Sequence, residues 1–297
     1  MLTAAFLSGI IYTLAFDAEG AISPTGKGIV PTAQFRADPP TRRYQVSAPI
    51  KSGTAKGLPE IIGPMDDTLP LVVLDAGHGG HDPGAVSPHG GQREKDVTLA
   101  IARIIRAELL KTGRIRVALV RDSDTFLVLQ DRYGLARKMR ADLFISVHAD
   151  SAPNREASGG TVYTLSEVAS DRETQRLASR ENRSDVINGV NLGETSANVS
   201  SILLDLRQRE TMNVSAEFAK LLMREAKPVM RLRSNTHRFA AFIVLKAPDV
   251  PSVLLETGYL SNVDDVAFLS SPEGQQKVGQ AVSRAVQVHF AKRLVPR

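Results

Sequence analysis

From Leu71 onward, short runs of unbroken apolar residues alternate with longer stretches in which apolar positions recur at helical spacing. The runs LVVLD, IRVALV, LFISV, GGTVYTL, FIVL and SVLLE read as strands. Because they are apolar throughout rather than at every second position, both faces of each strand must be covered, the signature of a largely parallel sheet. Between the first two runs, about Asp96 to Thr112 reads as a helix with Val97, Ile101, Ile104 and Ile105 on one face and Gly113 as its stop. Further helices cover about Leu127 to Arg140, a segment containing Val214 to Leu222, and about Pro272 to Lys292. Strands alternating with helices predict an α/β fold, a single domain over residues 71–292 with a mostly parallel sheet flanked by helices on both faces.

Before Leu71 the pattern changes. Residues 1–21, MLTAAFLSGIIYTLAFDAEGA, form an apolar run of the length of a signal-peptide core that ends in small residues, without Lys or Arg before it. The run is too short to span a bilayer. It reads as a signal-like segment whose basic start is missing or whose start codon is misplaced, the other reading being a buried N-terminal strand or helix. Residues 22–70 are rich in Pro, Gly, Ser, Thr and Ala and carry the pair Pro39-Pro40, the composition of a disordered linker.

Charge and composition narrow the chemistry. Lys and Arg number 37 against 32 acidic residues, a net charge of +5, and the basic residues are dispersed rather than gathered into a patch. With no Trp and few other aromatics there is no stacking platform, so nucleic acid is not the expected partner. Mild basicity suits a polyanionic cell wall. The chain has no cysteine, so disulfides and thiolate metal sites are excluded, and a metal must be held by His, Asp or Glu.

Three such residues sit just beyond three predicted strands: His78 in LDAGHGG, His148 in SVHAD, and Glu256 at the end of SVLLE. Sites in open α/β sheets gather at the carboxyl ends of strands, which brings these positions to one edge. Glu94, in QREKD just before the first long helix, is placed to fold back toward the same edge. Two imidazoles and a carboxylate make the donor set of catalytic zinc, so His78, Glu94 and His148 are the expected ligands of one zinc ion per chain. Glu256 then serves as general base toward the attacking water and returns the proton to a leaving amine. Gly77, Gly79 and Gly80 fit a tight turn with close backbone approach. Asp150 suits a supporting hydrogen bond to an imidazole or contact with the metal itself. His81 and His89, in the same glycine-rich loop, could stand in for His78 as ligands, but their distance from the strand end makes solvated loop residues the better reading; His237 reads as either facing the site or capping a loop, and His289 as surface or packing.

Taken together, LDAGHGGHDPGA, REKD, SVHAD and LLETGYLSN resemble the motifs of zinc-dependent N-acetylmuramoyl-L-alanine amidases of type 3, over about Leu71 to Phe290. The resemblance implies the same three ligands and the same catalytic Glu256. It also supplies a substrate, the amide between N-acetylmuramic acid and L-alanine in peptidoglycan, and with it cell-wall turnover and a periplasmic location, free of the membrane once a signal is removed.

A polar stretch, about Ser166 to Arg209, is similar to the regulatory insertion of the cell-division subgroup, whose members act in daughter-cell separation. There a helix covers the site, and its glutamate occupies the metal until an activator protein with a degenerate LytM-type domain draws it away. In DRETQRLASRENRSDVI the corresponding residue is taken as Glu181, with Glu167, Glu173 and Glu194 as rivals and Asp150 as an accompanying ligand in the closed form. The more apolar NVSSILLDL is a candidate docking segment for the activator. The span before Leu71 is too short for the wall-targeting domain common in this subgroup, so either that domain is lost or the gene model is truncated. A zinc carboxypeptidase or endopeptidase acting on wall peptides shares the donor set and is the alternative. A carboxypeptidase needs an arginine for the terminal carboxylate, and none is compellingly placed in the motifs.

Overall fold

Continuous apolar runs become the inner strands of a six-stranded sheet in the order β4-β3-β5-β8-β6-β7. The computed structural model describes residues 2–6, 10–14, 57–185 and 202–293. The strands are β3 (Leu71–Ala76), β4 (Arg116–Leu119), β5 (Leu143–His148), β6 (Gly160–Leu165), β7 (Leu232–Ala240) and β8 (Ser252–Glu256). β3 runs parallel to both β4 and β5, β5 parallel to β8, and β6 parallel to β7; the β6–β8 junction alone is antiparallel. The sheet is therefore mixed but mostly parallel.

Every residue of β3 and β5 is buried, which explains why these strands lack polar alternation. Val72, Leu74 and Ala76 pack with Ile101 and Ile105 of α1 (Glu94–Leu110), Phe218 and Leu222 of α4 (Ile202–Ala226), and Val282 and Val286 of α6 (Pro272–Arg293). Leu71 and Val73 point the other way, toward Leu135 and Ala136 of α2 (Leu129–Lys138), Phe144, and Leu177 and Ala178 of α3 (Arg172–Glu181). At about 1.5–3 kcal/mol per fully buried large apolar side chain, these two layers dominate the stability of the fold. A short α5 (Val263–Ser270) precedes α6, its first turn capped by Asn262.

Three departures from the sequence reading have physical causes. FIVL is no strand: Ile243–Leu245 is a single 3-10 turn, with Val244 and Leu245 buried beneath the α2 face. An apolar run reports burial, not backbone conformation. The strand lies just before it, in LRSNTHRFA, whose mixed polarity suits a sheet edge where one side meets solvent. The packed chain also begins before Leu71, because Ile62 forms an antiparallel bridge to Val117, its amide donating at 2.8 Å and its carbonyl accepting at 2.9 Å.

The N-terminal unit, Met1–Ala48, carries two strands, β1 (Leu2–Phe6) and β2 (Ile10–Leu14), paired antiparallel from Leu2–Leu14 to Phe6–Ile10. Most of the proline-rich span lies outside the described residues. So does the middle of the 166–209 stretch, residues 186–201, which includes Glu194 and the start of NVSSILLDL.

Candidate metal centre

Parallel pairing brings the strand ends together. His148 and Glu256 close β5 and β8 and are register partners. His78 lies two residues past β3 in the left-handed region, φ 61°, a backbone that costs a non-glycine residue about 1–2 kcal/mol. Two buried arginines hold that turn. Arg121 Nε and Nη2 donate to the carbonyls of Ala76 and Gly77 at 2.8 and 2.9 Å, and Arg132 Nη2 donates to the His78 carbonyl at 2.8 Å. Arg132 is itself neutralised by buried Asp75 at 2.8 Å. Glu94 opens α1, and the first helical amides, of Glu94 and Lys95, donate back to the carbonyls of Ala85 and Pro83, tying the glycine-rich loop to the helix start.

The side chains converge. His78 Nδ1 donates to Asp82 Oδ2 at 2.8 Å, which fixes the ring and leaves Nε2 turned inward. That Nε2, buried and without a hydrogen-bond partner, stands 3.1 Å from Glu94 Oε2 and 3.5 Å from Glu181 Oε2. His148 Nδ1 stands 3.1 Å from Glu94 Oε1 and 3.2 Å from Glu181 Oε2. Ligand atoms of His78, His148 and Glu181 all lie within 4.8 Å of one another, a group positioned to bind a metal ion. Glu94 is fully buried, its two oxygens divided between the two rings and also accepting the amides of Ala85 and Ala149 at 2.9 and 3.0 Å.

Two glycines permit this approach. A Cβ on Gly77 would stand 2.5 Å from the His148 ring, and one on Gly84, whose φ is 63°, would stand 2.6 Å from both Glu94 Oε2 and His78 Cδ2.

Charge explains why a cation fits. Burial alone would lower both histidines, but Glu94 and Glu181 outweigh it, raising His78 well above its ordinary value and His148 above its own. Burial, then Asp150, Glu94 and Glu181, push Glu256 well above the usual carboxylate range. Asp150 is pushed up to about 8 by burial and by Glu181 and Glu94, against the pull of Arg180. Buried carboxylates crowded in this way, facing two imidazoles across an orphaned nitrogen, suit a hard or borderline divalent ion with nitrogen and oxygen ligands.

The family model for N-acetylmuramoyl-L-alanine amidase, Amidase_3, matches residues 72–288. The chain belongs to this amidase family. It is 39% identical over 221 residues to the amidase AmiA of Salmonella typhimurium, covering 74% of this chain and 76% of that one. With the amidase AmiC of Escherichia coli it shares 39% identity over 222 residues, but spans only 53% of that longer protein. Among solved structures, the catalytic domain of the amidase CwlV from Bacillus (Paenibacillus) polymyxa superposes with a TM-score of 0.55 at 25% identity, over 75% of this chain and 99% of that one.

In this amidase, α3 presents Thr174, Leu177, Ala178 and Glu181 on one buried face, the i, i+3, i+4, i+7 spacing that carries Glu181 inward. Of the rival glutamates, Glu173 faces Arg233 and Arg238, and Glu167 lies on the turn between β6 and α3. Asp150 lies beside the donor group, its carboxylate engaged by Arg180 and by the amide of Ser151, while its own amide donates to Glu256 Oε2 at 3.1 Å.

His81 and His89 are exposed, the first against the Phe126 ring and the second 3.0 Å from the Ser261 carbonyl. His237 reaches Thr164 on β6, and His289 is buried against Phe218 and Phe290. Residues that sequence reasoning passed over include Asp82, whose i+4 spacing from His78 inside HGGHD was the available signal, and Arg121 and Arg132, which had none. The arginines near the site, Arg180 and Arg233, come from outside the four motifs.

Proposed function

We propose that this chain hydrolyses the amide between N-acetylmuramic acid and L-alanine in peptidoglycan, with one zinc ion held by His78, Glu94 and His148, and that α3 is its built-in inhibitor. The convergence of His78 Nε2, His148 Nδ1 and Glu94, with Glu181 Oε2 facing both rings, carries this reading. A bound zinc supplies Lewis acidity toward a carbonyl oxygen and lowers the pKa of water to about 7.

The remaining work falls to the protein. Glu256 Oε2 is held by the Asp150 amide, while Oε1 is buried without a partner and free to take a proton from the attacking water. The same carboxyl group returns that proton to the leaving nitrogen of L-alanine. Glu181 Oε2, 3.5 and 3.2 Å from the two imidazoles, lies where in this reading water and substrate are needed, which supports a closed form.

α3 is held at several points: Asp171 caps its first turn, Glu173 pairs with Arg233 and Arg238, Arg180 pairs with Asp150, and Asn182 bonds the Ala241 carbonyl and the Ile243 amide, each at 2.8 Å. An activator with a degenerate LytM-type domain that binds the displaced helix shifts the population toward the open state. NVSSILLDL is proposed as its docking segment. We place the enzyme in the periplasm, acting in daughter-cell separation, with residues 1–21 as export signal and the span from residue 22 up to the packed segment around Ile62 as linker. Among the described residues no helix is long and apolar enough to cross a membrane.

The test is release of stem peptides from purified peptidoglycan by wild type, Glu256→Ala, Glu181→Ala and chelator-treated protein. Free peptides beginning with L-Ala, lost with Glu256→Ala or chelator and increased by Glu181→Ala, are the expected result. Cleavage only within the peptide would overturn the amidase assignment in favour of an endopeptidase or carboxypeptidase.

A further inference from the structure

The carboxylate of Glu173, about two turns before Glu181 on α3, is clasped by two arginines of the edge strand β7. Arg233 Nη1 donates to Oε1 at 2.8 Å and Nη2 to Oε2 at 3.2 Å, and Arg238 Nη1 donates to Oε2 at 3.0 Å. Two nitrogens of one guanidinium on two oxygens of one carboxyl group is the fork geometry with which arginine meets planar oxyanions, here a carboxylate.

A distortion of β7 allows both arginines to reach one group. Gly160 faces Leu232 while Val162 faces His237, so three extra residues bulge out of β7 between them. Side chains five apart would otherwise leave a strand on opposite faces.

The clasp also belongs to the catalytic edge of the sheet. Arg233 Nη1 donates to Tyr259 Oη at 3.0 Å, and its guanidinium lies 5.4 Å over that ring. Tyr259 follows Glu256 closely in sequence, and burial together with Glu256 raises the hydroxyls of both Tyr259 and Tyr163. Arg238 is the register partner of Tyr163. It is only 7% exposed, and its Nε has no hydrogen-bond partner, so donor capacity in the clasp exceeds what Glu173 satisfies.

We infer that Arg233 and Arg238 form a carboxylate-binding subsite for the peptide stem of the substrate, filled in the closed state by Glu173. The inference rests on the proposed role of α3 as inhibitor. When α3 leaves, Glu173 leaves with it, as does its cap Asp171, whose Oδ2 lies 3.6 Å from Arg238 Nη1, and buried Arg238 and half-buried Arg233 lose their counter-charge, a costly state for Arg238 above all unless another carboxylate arrives. Stem peptides carry free carboxylates along the chain and at its end. The substrate thus competes with Glu173 while the water position competes with Glu181, and one helix mimics both halves of the bound state.

The experiment uses the full chain loaded with zinc and soluble muramyl-peptides of two kinds, with stem carboxylates free or amidated. Basal rates of Glu181→Ala and Glu173→Gln are measured first, and both are expected to exceed wild type. In the Glu181→Ala background, Arg233→Met is expected to raise KM for the free-carboxylate substrate about tenfold or more with kcat within about twofold, the loss of one charge-assisted pair. The amidated substrate is expected to show a high KM that Arg233→Met leaves unchanged. Arg233→Lys, which keeps the charge and loses the fork, is expected to fall between and guards against a folding defect in the Met variant. An unchanged KM for free-carboxylate substrate in both Arg233 variants, on a background whose basal rate had risen, would overturn the subsite and leave α3 inhibition standing. Basal rates equal to wild type in both glutamate variants would overturn the inhibition itself.

Discussion

His148 and Glu256 face one another across neighbouring parallel strands, each the last residue of its strand, and the amide of Asp150, two residues past His148, donates to Glu256 Oε2 at 3.1 Å. The backbone following one site strand thus holds the buried carboxyl group that ends the next. Glu256→Gln keeps the size of the side chain and an oxygen for the Asp150 amide, but cannot carry a proton. Release of stem peptides is expected to fall by about 10²–10⁴-fold. Burial and the surrounding carboxylates hold Glu256 well above its ordinary pKa and so disfavour its charged form, which means a neutral Gln suits the site and the melting temperature is expected not to fall. A variant that melted well below wild type would show that Glu256 is needed for folding rather than chemistry.

Asp82 is expected to set metal affinity through His78. Without its carboxylate the Nδ1 hydrogen loses the 2.8 Å bond that orients the ring, and the amide of Gly84 loses its partner at 3.0 Å. Asp82→Ala is predicted to weaken metal binding about 10–100-fold. Competition against a chromogenic chelator measures this, and wild-type affinity in the variant would remove Asp82 from that role.

The close approach at Gly77 gives a steric prediction. The methyl group of Gly77→Ala has to displace the His148 ring, which it would otherwise meet at 2.5–2.8 Å. Stability is expected to drop by about 1–3 kcal/mol, the usual cost of overpacking, with metal content below one per chain by mass spectrometry of the native protein. Full metal content in a folded Gly77→Ala protein would mean that the turn relaxes without moving His148.

Beneath the site, the buried pair Arg132–Asp75 makes stability depend on pH. Burial alone would raise the Asp75 carboxyl, but Arg132, assisted by Ser146, holds it below its ordinary value. A depressed carboxylate contributes stability above its unfolded pKa of about 3.9, and that contribution is lost as pH falls through the lower folded value. Asp75→Asn leaves Arg132 uncompensated and is expected to destabilise by about 3–5 kcal/mol at pH 7. Because the variant has no group to titrate there, the gap to wild type is expected to narrow as pH drops below about 3.9. Denaturant titrations at neutral and acid pH decide it; a gap that stayed constant would mean that the stability difference has nothing to do with ionisation.

Much of the site was legible because its residues follow unbroken apolar runs. LVVLD, LFISV and SVLLE are buried on both faces, so their ends had to meet at one sheet edge, and His78, His148 and Glu256 came with them. Glu94 was placed by its position at a helix start. The edge strand β7 was not legible: its polar residues resemble a loop, and the neighbouring apolar FIVL drew the assignment away. Arg132 was equally hidden, since a charged residue in a polar helix looks solvated until the helix is docked over a strand end with the carbonyls of Ala76 and His78 and the Asp75 carboxylate beneath it.

The sequence by itself determined the layered α/β sheet, the order of the four motifs and the His and Glu residues of the candidate metal centre, because hydrophobic periodicity and strand-end position are local properties of the chain. Only the tertiary structure decided which carboxylate of α3 reaches the imidazoles and which is clasped by arginines. Glu173 and Glu181 lie on the same short helix. Their roles separate only when Thr174, Leu177, Ala178 and Glu181 seat on the sheet and Glu173 meets a bulged edge strand, a geometry set by long-range packing.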